Sequence, residues 1–233
     1  MLDTASTGPR TAPLLERGHQ RFQRYCRHFK SYAGRAPAGR LLDFGAGAGG
    51  FLIAALEARL DAHGVEVDPE RQRQFRRLAP EHDARFVLYD GGMLPFDGRT
   101  FDAVYSWFVF EHVQNPWMAL REIARVTRPG GFVEIHADDA RNGWDGHAAI
   151  PWPPYMPRRF TRAYLAEFGK EDRTDFINDT VVYVTAPIIA DILGTLGFEV
   201  LRALPLAGRD ALEGVHIRSE EDARRVARLN RER

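Results

Sequence analysis

The segment LLDFGAGAGGF (41–51) places four glycines within six residues, directly after a short apolar run. Glycine is needed where a ligand approaches the backbone closely or where a residue must adopt a positive φ. Gly45, Gly47 and Gly50 fit the G-x-G-x-x-G pattern of dinucleotide sites. Gly45, Gly47 and Gly49 fit a tighter G-x-G-x-G loop. The turn therefore predicts a nucleotide-type ligand but does not decide which one.

The sequence around this turn alternates strand patterns with helix patterns. The predicted strands are RLLDF, AHGVEVD, ARFVLY, TFDAVYSWFVF, FVEIHAD and FEVLRAL, and the predicted helices are GFLIAALEARL, PERQRQFRRLA, NPWMALREIARVT and APIIADILGTLG. This alternation predicts an α/β fold with a doubly wound, mostly parallel sheet. The glycine turn would follow the first strand, at the edge of the sheet where ligands bind in such folds.

Segments outside this alternation complete the predicted organisation. Residues 1–13 have a leader-like composition and are expected to be flexible. Apolar residues at helical spacing indicate a helix within 14–39, whereas 139–185 is an irregular insertion rich in Trp, Tyr, Pro and Gly. Long irregular insertions in compact domains are usually functional or mobile. We expect a single domain over 14–233.

The composition narrows the class of protein. Lys+Arg and Asp+Glu number 32 each in 233 residues, so no net charge attracts a phosphate backbone and nucleic acid is not expected as a partner. The only cysteine, Cys26, excludes an internal disulfide and a cysteine-based metal site. The first residues lack a basic segment followed by an apolar one, and no stretch approaches a membrane span. A cytoplasmic location is expected.

Three acidic positions narrow the choice of ligand. Asp43 lies inside the otherwise apolar first strand, where it would oppose a pyrophosphate but suit a cationic ligand. S-Adenosylmethionine carries a sulfonium and an ammonium group and no phosphate. Glu66 follows Gly45 by about the spacing expected for a carboxylate that binds ribose hydroxyls. Asp90 ends the third strand pattern, where it could accept from an adenine amino group.

The motifs taken together resemble a known family. LLDFGAGAGGF, GVEVDPE and YDGGMLPFDGRTFDAVYSWFVFEHVQNPWMALREIARVTRPGG are similar to the class I S-adenosylmethionine-dependent methyltransferases, specifically the type 11-like group. The resemblance implies a seven-stranded-type Rossmann-like sheet and S-adenosylmethionine as cofactor, with S-adenosylhomocysteine as product. The cofactor-binding residues that it implies, or that the acidic pattern predicts, are Asp43, Gly45, Ala46, Gly47, Glu66, Val67, Asp90, Gly91, Met93, Ser106 and Trp107.

Catalytic candidates follow from the chemistry of the acceptor. The sulfonium already activates the methyl group, so a protein base is needed only for an acceptor such as a hydroxyl. His136 closes the fifth strand pattern, Asp138 follows it, and His147 lies in the insertion. His112 belongs to EHV, a motif found in similar proteins with different acceptors, which favours a structural role.

The insertion is expected to cover the acceptor, and the N-terminal helix would act as a lid, as it does in similar enzymes. The expected acceptor contacts are Trp144, Trp152, Tyr155 and Arg158, with Arg159 nearby. The alternative is that the aromatic residues form a packing clasp. No spacing of His, Asp and Glu suggests a metal, so none is expected.

These observations predict methyl transfer from S-adenosylmethionine to a small molecule or glycan, at a hydroxyl oxygen, by a monomer or homodimer. Three alternatives stay open at the level of sequence. The acceptor atom could be nitrogen or carbon. The chain could be an inactive cofactor-binding partner subunit. The G-x-G-x-x-G match also allows a nicotinamide-dependent oxidoreductase, which Asp43 disfavours.

Overall fold

The computed structural model describes residues 11–137, 141 and 143–200. Their contacts define two compact units. The first comprises residues 11–137 and 191–199, and the second comprises residues 141, 143–190 and 200.

A five-stranded parallel sheet forms the centre of the first unit. Its strands are β1 (Arg40–Phe44), β2 (Asp61–Glu66), β3 (Phe86–Leu88), β4 (Phe101–Trp107) and β5 (Thr127–His136). The strand order is β3-β2-β1-β4-β5, and every neighbouring pair is parallel. The predicted doubly wound α/β architecture is therefore confirmed. The order reverses between β1 and β4, and ligands bind at such switch points, beyond the carboxyl ends of the strands.

Four helices accompany this sheet: α1 (Thr11–Ala33), α2 (Gly50–Glu57), α3 (Pro69–Leu78) and α4 (Pro116–Val126). Proline at the first position fixes φ without losing a helical hydrogen bond, and it begins both α3 and α4. The Asp68 side chain accepts from the Glu70 N–H, and that of Asn115 accepts from the Met118 N–H. Both helices therefore begin where the sequence predicts.

Aromatic side chains pack α1 against the rest of the first unit. Tyr25 and Phe29 of α1 are buried together with Phe51 and Tyr105. The rings of Phe51 and Tyr105 stack with their centroids 3.9 Å apart. A Cβ on Gly18 would lie 2.1 Å from the Gly50 carbonyl oxygen, so the α1 backbone passes directly over the start of α2. The predicted helical lid is thus part of the core of the first unit.

Several element boundaries differ from those predicted. α1 begins at Thr11, inside the predicted flexible leader 1–13, whose first ten residues lie outside the described part. α2 ends at Glu57 because Arg59 adopts a positive φ of 63°. Of the predicted strand FEVLRAL, residues 198–200 lie in no strand and the rest lies outside the described residues.

The fifth strand begins earlier than predicted. RPGG was expected to separate α4 from the strand, but β5 starts at Thr127 and includes these residues. Phe101 pairs with Thr127 and Ala103 with Phe132, so β5 has three residues more than β4 between the two pairs. Gly130, with a φ of 74°, allows this irregularity, because glycine adopts that conformation without steric cost.

The second unit has its own small core. Its elements are the antiparallel strands β6 (Trp144–Asp145) and β7 (Ile150–Pro151) and the helices α5 (Thr161–Ala166) and α6 (Thr174–Thr180). α5 confirms the helix predicted for TRAYLAEF, whereas β6, β7 and α6 were not predicted. Trp152, Leu165 and Ile177 are buried at its centre. α7 (Ala186–Thr195) follows along the chain.

No helix within residues 11–137, 141 and 143–200 is both long and apolar enough to cross a membrane.

Candidate functional site

The predicted cofactor residues of the first unit gather at the carboxyl ends of its strands. Asp43 is the penultimate residue of β1, Glu66 ends β2, and Ser106 and Trp107 end β4. Asp43 pairs in register with Tyr105, directly before Ser106. Because all five strands are parallel, these ends meet along one edge of the sheet. The structure therefore brings the predicted set together.

The three glycines of the tighter loop have different roles. Gly45, Gly47 and Gly49 all adopt positive φ, at 76°, 56° and 81°. A Cβ at Gly45 would lie 2.3 Å from Val109 Cγ2, and one at Gly49 would lie 2.2 Å from the Phe75 ring, so both positions are needed for packing. A Cβ at Gly47 would meet no atom within 4 Å. Gly47 is therefore the glycine that borders open space, where a ligand can approach the backbone.

Asp43 carries a buried carboxyl group, and hydrogen bonds within the described part of the chain do not satisfy both of its oxygens. Its exposed fraction is 3%, and its Oδ2 atom has no hydrogen-bond partner among the described residues. Burial raises the pKa of Asp43 to about 7, although the charge of Arg21 lowers this pKa and that of Glu66 raises it further. A buried acid without a partner is costly unless a ligand supplies one. A cationic ligand group fits this position.

Glu66 connects the glycine turn to the end of β2. Its Oε2 accepts a hydrogen bond of 2.8 Å from the Gly47 N–H, and its Oε1 accepts from the N–H groups of Val67 (2.8 Å) and Asp68 (3.2 Å). Ala46, also in the turn, donates its N–H to the Val65 carbonyl at 2.9 Å. A carboxylate oxygen can accept more than one hydrogen bond, so Glu66 can hold the turn and still accept from a ribose hydroxyl.

The loop after β3 carries the predicted adenine contacts. Asp90 Oδ1 accepts from the Gly92 N–H at 2.9 Å, and Gly91 between them has a φ of 83°. Met93 is 74% exposed, and Val67, after β2, is exposed as well. Exposed apolar side chains beside a carboxylate provide the type of surface that an adenine ring can contact.

A pair of α4 side chains holds this loop, and neither was predicted as part of the site. Glu122 Oε2 accepts from the Leu94 N–H at 2.8 Å. The Arg125 guanidinium donates to the Leu94 carbonyl at 3.0 Å, to the Phe96 carbonyl at 2.8 Å, and to Glu122. Hydrogen bonds from Arg125 hold the pKa of Glu122 below its usual value, despite opposition from burial. Both residues belong to REIARV (121–126), part of the family-like segment, and this motif was the sequence feature that could have identified them.

At the end of β5 a carboxylate joins two imidazoles. Glu134 Oε1 lies 2.8 Å from His28 Nδ1 and 2.7 Å from His136 Nε2. Burial raises the pKa of Glu134, but hydrogen bonds with His136 and His28 outweigh it, so the net pKa is lowered and the carboxylate is ionised. Sequence reasoning identified His136 but missed Glu134 and His28, because His28 lies on α1 and is 106 residues away from Glu134.

Trp107 lies beside this group. Its ring is 4.4 Å from that of His136 between centroids, and the Arg24 guanidinium lies 5.2 Å from its centroid. Ser106 is fully buried, and its Oγ has no hydrogen-bond partner within the described part of the chain.

His112 ends a 3₁₀ helix (Phe110–His112), and its backbone N–H donates to the Val109 carbonyl. Asp138 lies outside the described residues.

The predicted acceptor contacts belong to the second unit. Trp144 lies on β6, and Trp152 is buried, with its Nε1 donating to the Tyr183 hydroxyl at 3.2 Å. Tyr155 is 54% exposed, and His147 Nδ1 lies 3.7 Å from Asp145 Oδ2. The acceptor role of these residues stays a prediction.

Arg158 has a structural environment. Its guanidinium donates to the Ile177 carbonyl at 2.9 Å and also to the Val181 carbonyl, and it lies 4.4 Å from the centroid of the Tyr183 ring. It therefore holds the carboxyl end of α6. The neighbouring Arg159 stacks on Phe160, with its guanidinium carbon 4.7 Å from the ring centroid.

Comparison with known proteins gives one family. A family model described as "Methyltransferase domain" matches residues 17–203. An uncharacterized methyltransferase of Mycolicibacterium vanbaalenii is 33% identical over 149 residues, which cover 64% of this chain and 58% of the relative. One from Mycobacterium leprae is 43% identical over 145 residues, covering 61% and 54%. The chain thus spans a little more than half the length of these curated relatives.

A solved structure shows the same fold. Phosphoethanolamine N-methyltransferase 2 of Haemonchus contortus, in complex with S-adenosyl-L-methionine, superposes with a TM-score of 0.52 at 23% identity. The match covers 77% of this chain and 36% of that one. At this identity the likeness extends to the fold alone.

Proposed function

Because the chain belongs to the class I S-adenosylmethionine-dependent methyltransferases, we propose that it transfers the methyl group of this cofactor to a hydroxyl oxygen of a small molecule or glycan. The observation that carries the proposal is the buried Oδ2 atom of Asp43, which has no partner among the described residues and lies two positions before the glycine turn. A nitrogen or carbon acceptor is the alternative.

The chain supplies the binding and the orientation. When bound, S-adenosylmethionine supplies a methyl group that its sulfonium has already activated. Asp43 would hold a cationic group of the cofactor, Glu66 its ribose hydroxyls, and Asp90 its adenine amino group. Gly47 leaves the space through which the cofactor approaches the turn. In this arrangement the protein contributes mainly position, which is sufficient for an in-line displacement at an activated carbon.

The preference for oxygen depends on the His136–Glu134 pair. The Glu134 carboxylate can only accept a hydrogen bond, so the nearby His136 Nε2 carries a proton and Nδ1 holds the lone pair when the ring is neutral. Nδ1 is then the atom that takes the hydroxyl proton. The ionised Glu134 stabilises the imidazolium that results, as a buried carboxylate does beside a catalytic histidine. Of the four predicted base candidates, we assign this role to His136.

Calorimetric titration with S-adenosylhomocysteine, with NADH in parallel, tests the cofactor site. We expect micromolar binding of S-adenosylhomocysteine and no binding of NADH. The substitutions Asp43→Ala and Glu66→Ala should each weaken S-adenosylhomocysteine binding by at least about tenfold, which corresponds to roughly 1.4 kcal/mol. Wild-type affinity in both variants would refute the assigned site. Binding of NADH and not of S-adenosylhomocysteine would support a nicotinamide-dependent oxidoreductase instead.

Turnover tests the acceptor chemistry. S-Adenosylhomocysteine release is followed with panels of hydroxyl, amine and carbon acceptors. His136→Asn should lower the rate with a hydroxyl acceptor by about a hundredfold or more and leave cofactor affinity unchanged. An amine acceptor that is used equally well by wild type and variant would contradict the oxygen assignment. Cofactor binding without turnover on any panel would favour the inactive partner subunit.

A further inference from the structure

His28, Glu134 and His136 form a cluster that methyl transfer does not fully explain. One ligand atom from each of the three residues lies within 4.8 Å of the other two. The contacts with Glu134 Oε1 are made by His28 Nδ1 at 2.8 Å and His136 Nε2 at 2.7 Å. One ligand residue comes from α1 and two come from the end of strand β5. The two imidazole rings are stacked at 27°, with centroids 6.2 Å apart, so both face the same carboxylate.

We propose that these three side chains bind a divalent transition-metal cation of the zinc class. Two imidazole nitrogens and one carboxylate are the ligand set of His₂Glu zinc sites, which leave a fourth position open. The same set, with open positions, also suits ferrous iron. Zinc binds nitrogen and carboxylate oxygen at about 2.0–2.2 Å in a tetrahedron, which separates ligand atoms by roughly 3.4 Å. The two nitrogen–oxygen distances of 2.8 and 2.7 Å would therefore lengthen by roughly 0.6–0.7 Å, and a separation at the 4.8 Å limit would shorten by roughly 1.4 Å.

The hydrogen bonds of the cluster leave part of the carboxylate unused. Both histidines lie against Oε1, whereas Oε2 is buried and has no hydrogen-bond partner among the described residues. The side chain of Glu134 is only 9% exposed. With both imidazoles neutral, the cluster carries one negative charge in a place shielded from water. A cation would neutralise this charge and could engage the second oxygen.

Sequence reasoning led to the opposite expectation, that no metal binds. The ligands do not form a local motif, because His28 and Glu134 are 106 residues apart and only the packing of α1 onto the sheet brings them together. Only Glu134 and His136, two residues apart on one strand, lie on the same face by sequence.

Cation binding does not rest on the proposed transfer reaction, but it would affect it. To ligate through Nε2, His136 must carry its proton on Nδ1, the atom assigned above as the base. A bound cation would therefore suppress methyl transfer to a hydroxyl. Failure of cation binding would leave the proposed function intact, and failure of the cofactor titration would leave the cation site intact.

Cobalt titration of the purified full chain, freed of metal by chelation, tests the site. We expect one equivalent of Co²⁺ to bind with the visible absorption bands of a four- or five-coordinate nitrogen and oxygen site, and Zn²⁺ to displace it. His28→Ala, Glu134→Gln and His136→Ala should each weaken binding by about tenfold or more. His19→Ala is the matched control, because His19 also lies on α1, 2.6 Å from the carboxylate of Glu57, but has no third ligand among the residues that the structure describes.

A second measurement needs no variant to fold. In wild-type protein labelled with ¹⁵N-histidine, Zn²⁺ should shift the Nδ1 signal of one imidazole and the Nε2 signal of another, among the eight in the chain. Absence of saturable binding up to about 1 mM cation would overturn the proposal. So would binding that His19→Ala removes and His28→Ala retains, or zinc-dependent shifts at other histidines.

Discussion

At the scale of the residue, the buried carboxyl group of Asp43 makes the stability of the ligand-free protein depend on pH. Its pKa is about 7 in the folded protein, against an ordinary value of 3.8. The folded state therefore holds this proton more tightly than the unfolded state. The stabilisation that results is complete below about pH 4 and is lost as the pH rises through 7.

This gives the first prediction. Between pH 5 and pH 8 the wild-type free energy of unfolding should fall by about 3 kcal/mol through Asp43, measured by urea denaturation. Asp43→Asn cannot ionise and should remove this part of the decline. Asp83→Asn is the control, because the Asp83 side chain is half-exposed and paired with Arg76, and this variant should keep the wild-type profile. Equal slopes for wild type and Asp43→Asn would mean that Asp43 is not buried as a titrating acid.

Individual site residues differ in how far the sequence reveals them. Asp43 stands out because an acid interrupts an apolar strand, and Glu66 because its distance from the glycine turn is characteristic. Glu134 and His28 have no such local signal, and their meeting depends on how α1 packs against β5. Arg158 was predicted as an acceptor contact, and in the structure it donates to backbone carbonyls of its own unit. The sequence alone does not show whether a charged side chain binds a ligand or other groups of the protein.

At the scale of the element, the glycine turn separates packing from ligand access, which gives the second prediction. Gly47→Ala meets open space and should cost only the strain of its positive φ, about 1–2 kcal/mol. Its affinity for S-adenosylhomocysteine should nevertheless fall, because the methyl group enters the space beside the turn. Gly49→Ala has a similar φ but would overlap the Phe75 ring, so it should cost more than about 3 kcal/mol.

Thermal denaturation and calorimetry of the two variants check this difference. Gly49→Ala is the matched comparison, since both substitutions add one methyl group in the same turn. If Gly47→Ala bound S-adenosylhomocysteine as tightly as wild type, the open space at Gly47 would not face the cofactor.

Helix α4 provides the third prediction, because it holds the predicted adenine loop. Arg125→Met removes hydrogen bonds to the Leu94 and Phe96 carbonyls and the ion pair with Glu122. We expect a stability loss of about 2 kcal/mol and weaker binding of S-adenosylhomocysteine. Arg121→Met, at an exposed position of the same helix, should change neither quantity. Equal behaviour of the two variants in denaturation and calorimetry would contradict the role of Arg125.

Elements were predictable where a local rule determines their ends. β1 has the predicted limits, and the caps and first-turn prolines of α3 and α4 lie where expected. The start of β5 was wrong because PGG usually breaks structure, whereas here Gly130 lets the chain bulge while the strand continues. Propensity alone cannot identify such a bulge, since the pairing partner on β4 decides it.

At the scale of the whole molecule, the match of residues 17–203 to a methyltransferase-domain model confirms the predicted family. The fold of the first unit agrees with the prediction because strand and helix periods are strong over this region. The chain was predicted as a single domain, and its contacts define two compact units. The limit at residue 137 lies next to the start of the predicted insertion 139–185, but a composition rich in Trp, Tyr, Pro and Gly does not show that this segment has a core of its own.

The last prediction concerns which of the two units binds the cofactor. All predicted cofactor residues lie in the first unit, whereas Leu165 lies in the core of the second. Leu52→Ala and Leu165→Ala each shorten a fully buried side chain and leave a cavity. Each should lower the free energy of unfolding by about 2–5 kcal/mol. Measured by calorimetry at a temperature where both variants are folded, Leu52→Ala should weaken S-adenosylhomocysteine binding, because Leu52 lies in α2 directly behind the glycine turn. Leu165→Ala should keep the affinity within about twofold. If Leu165→Ala lost as much affinity as Leu52→Ala, the second unit would be required for cofactor binding itself.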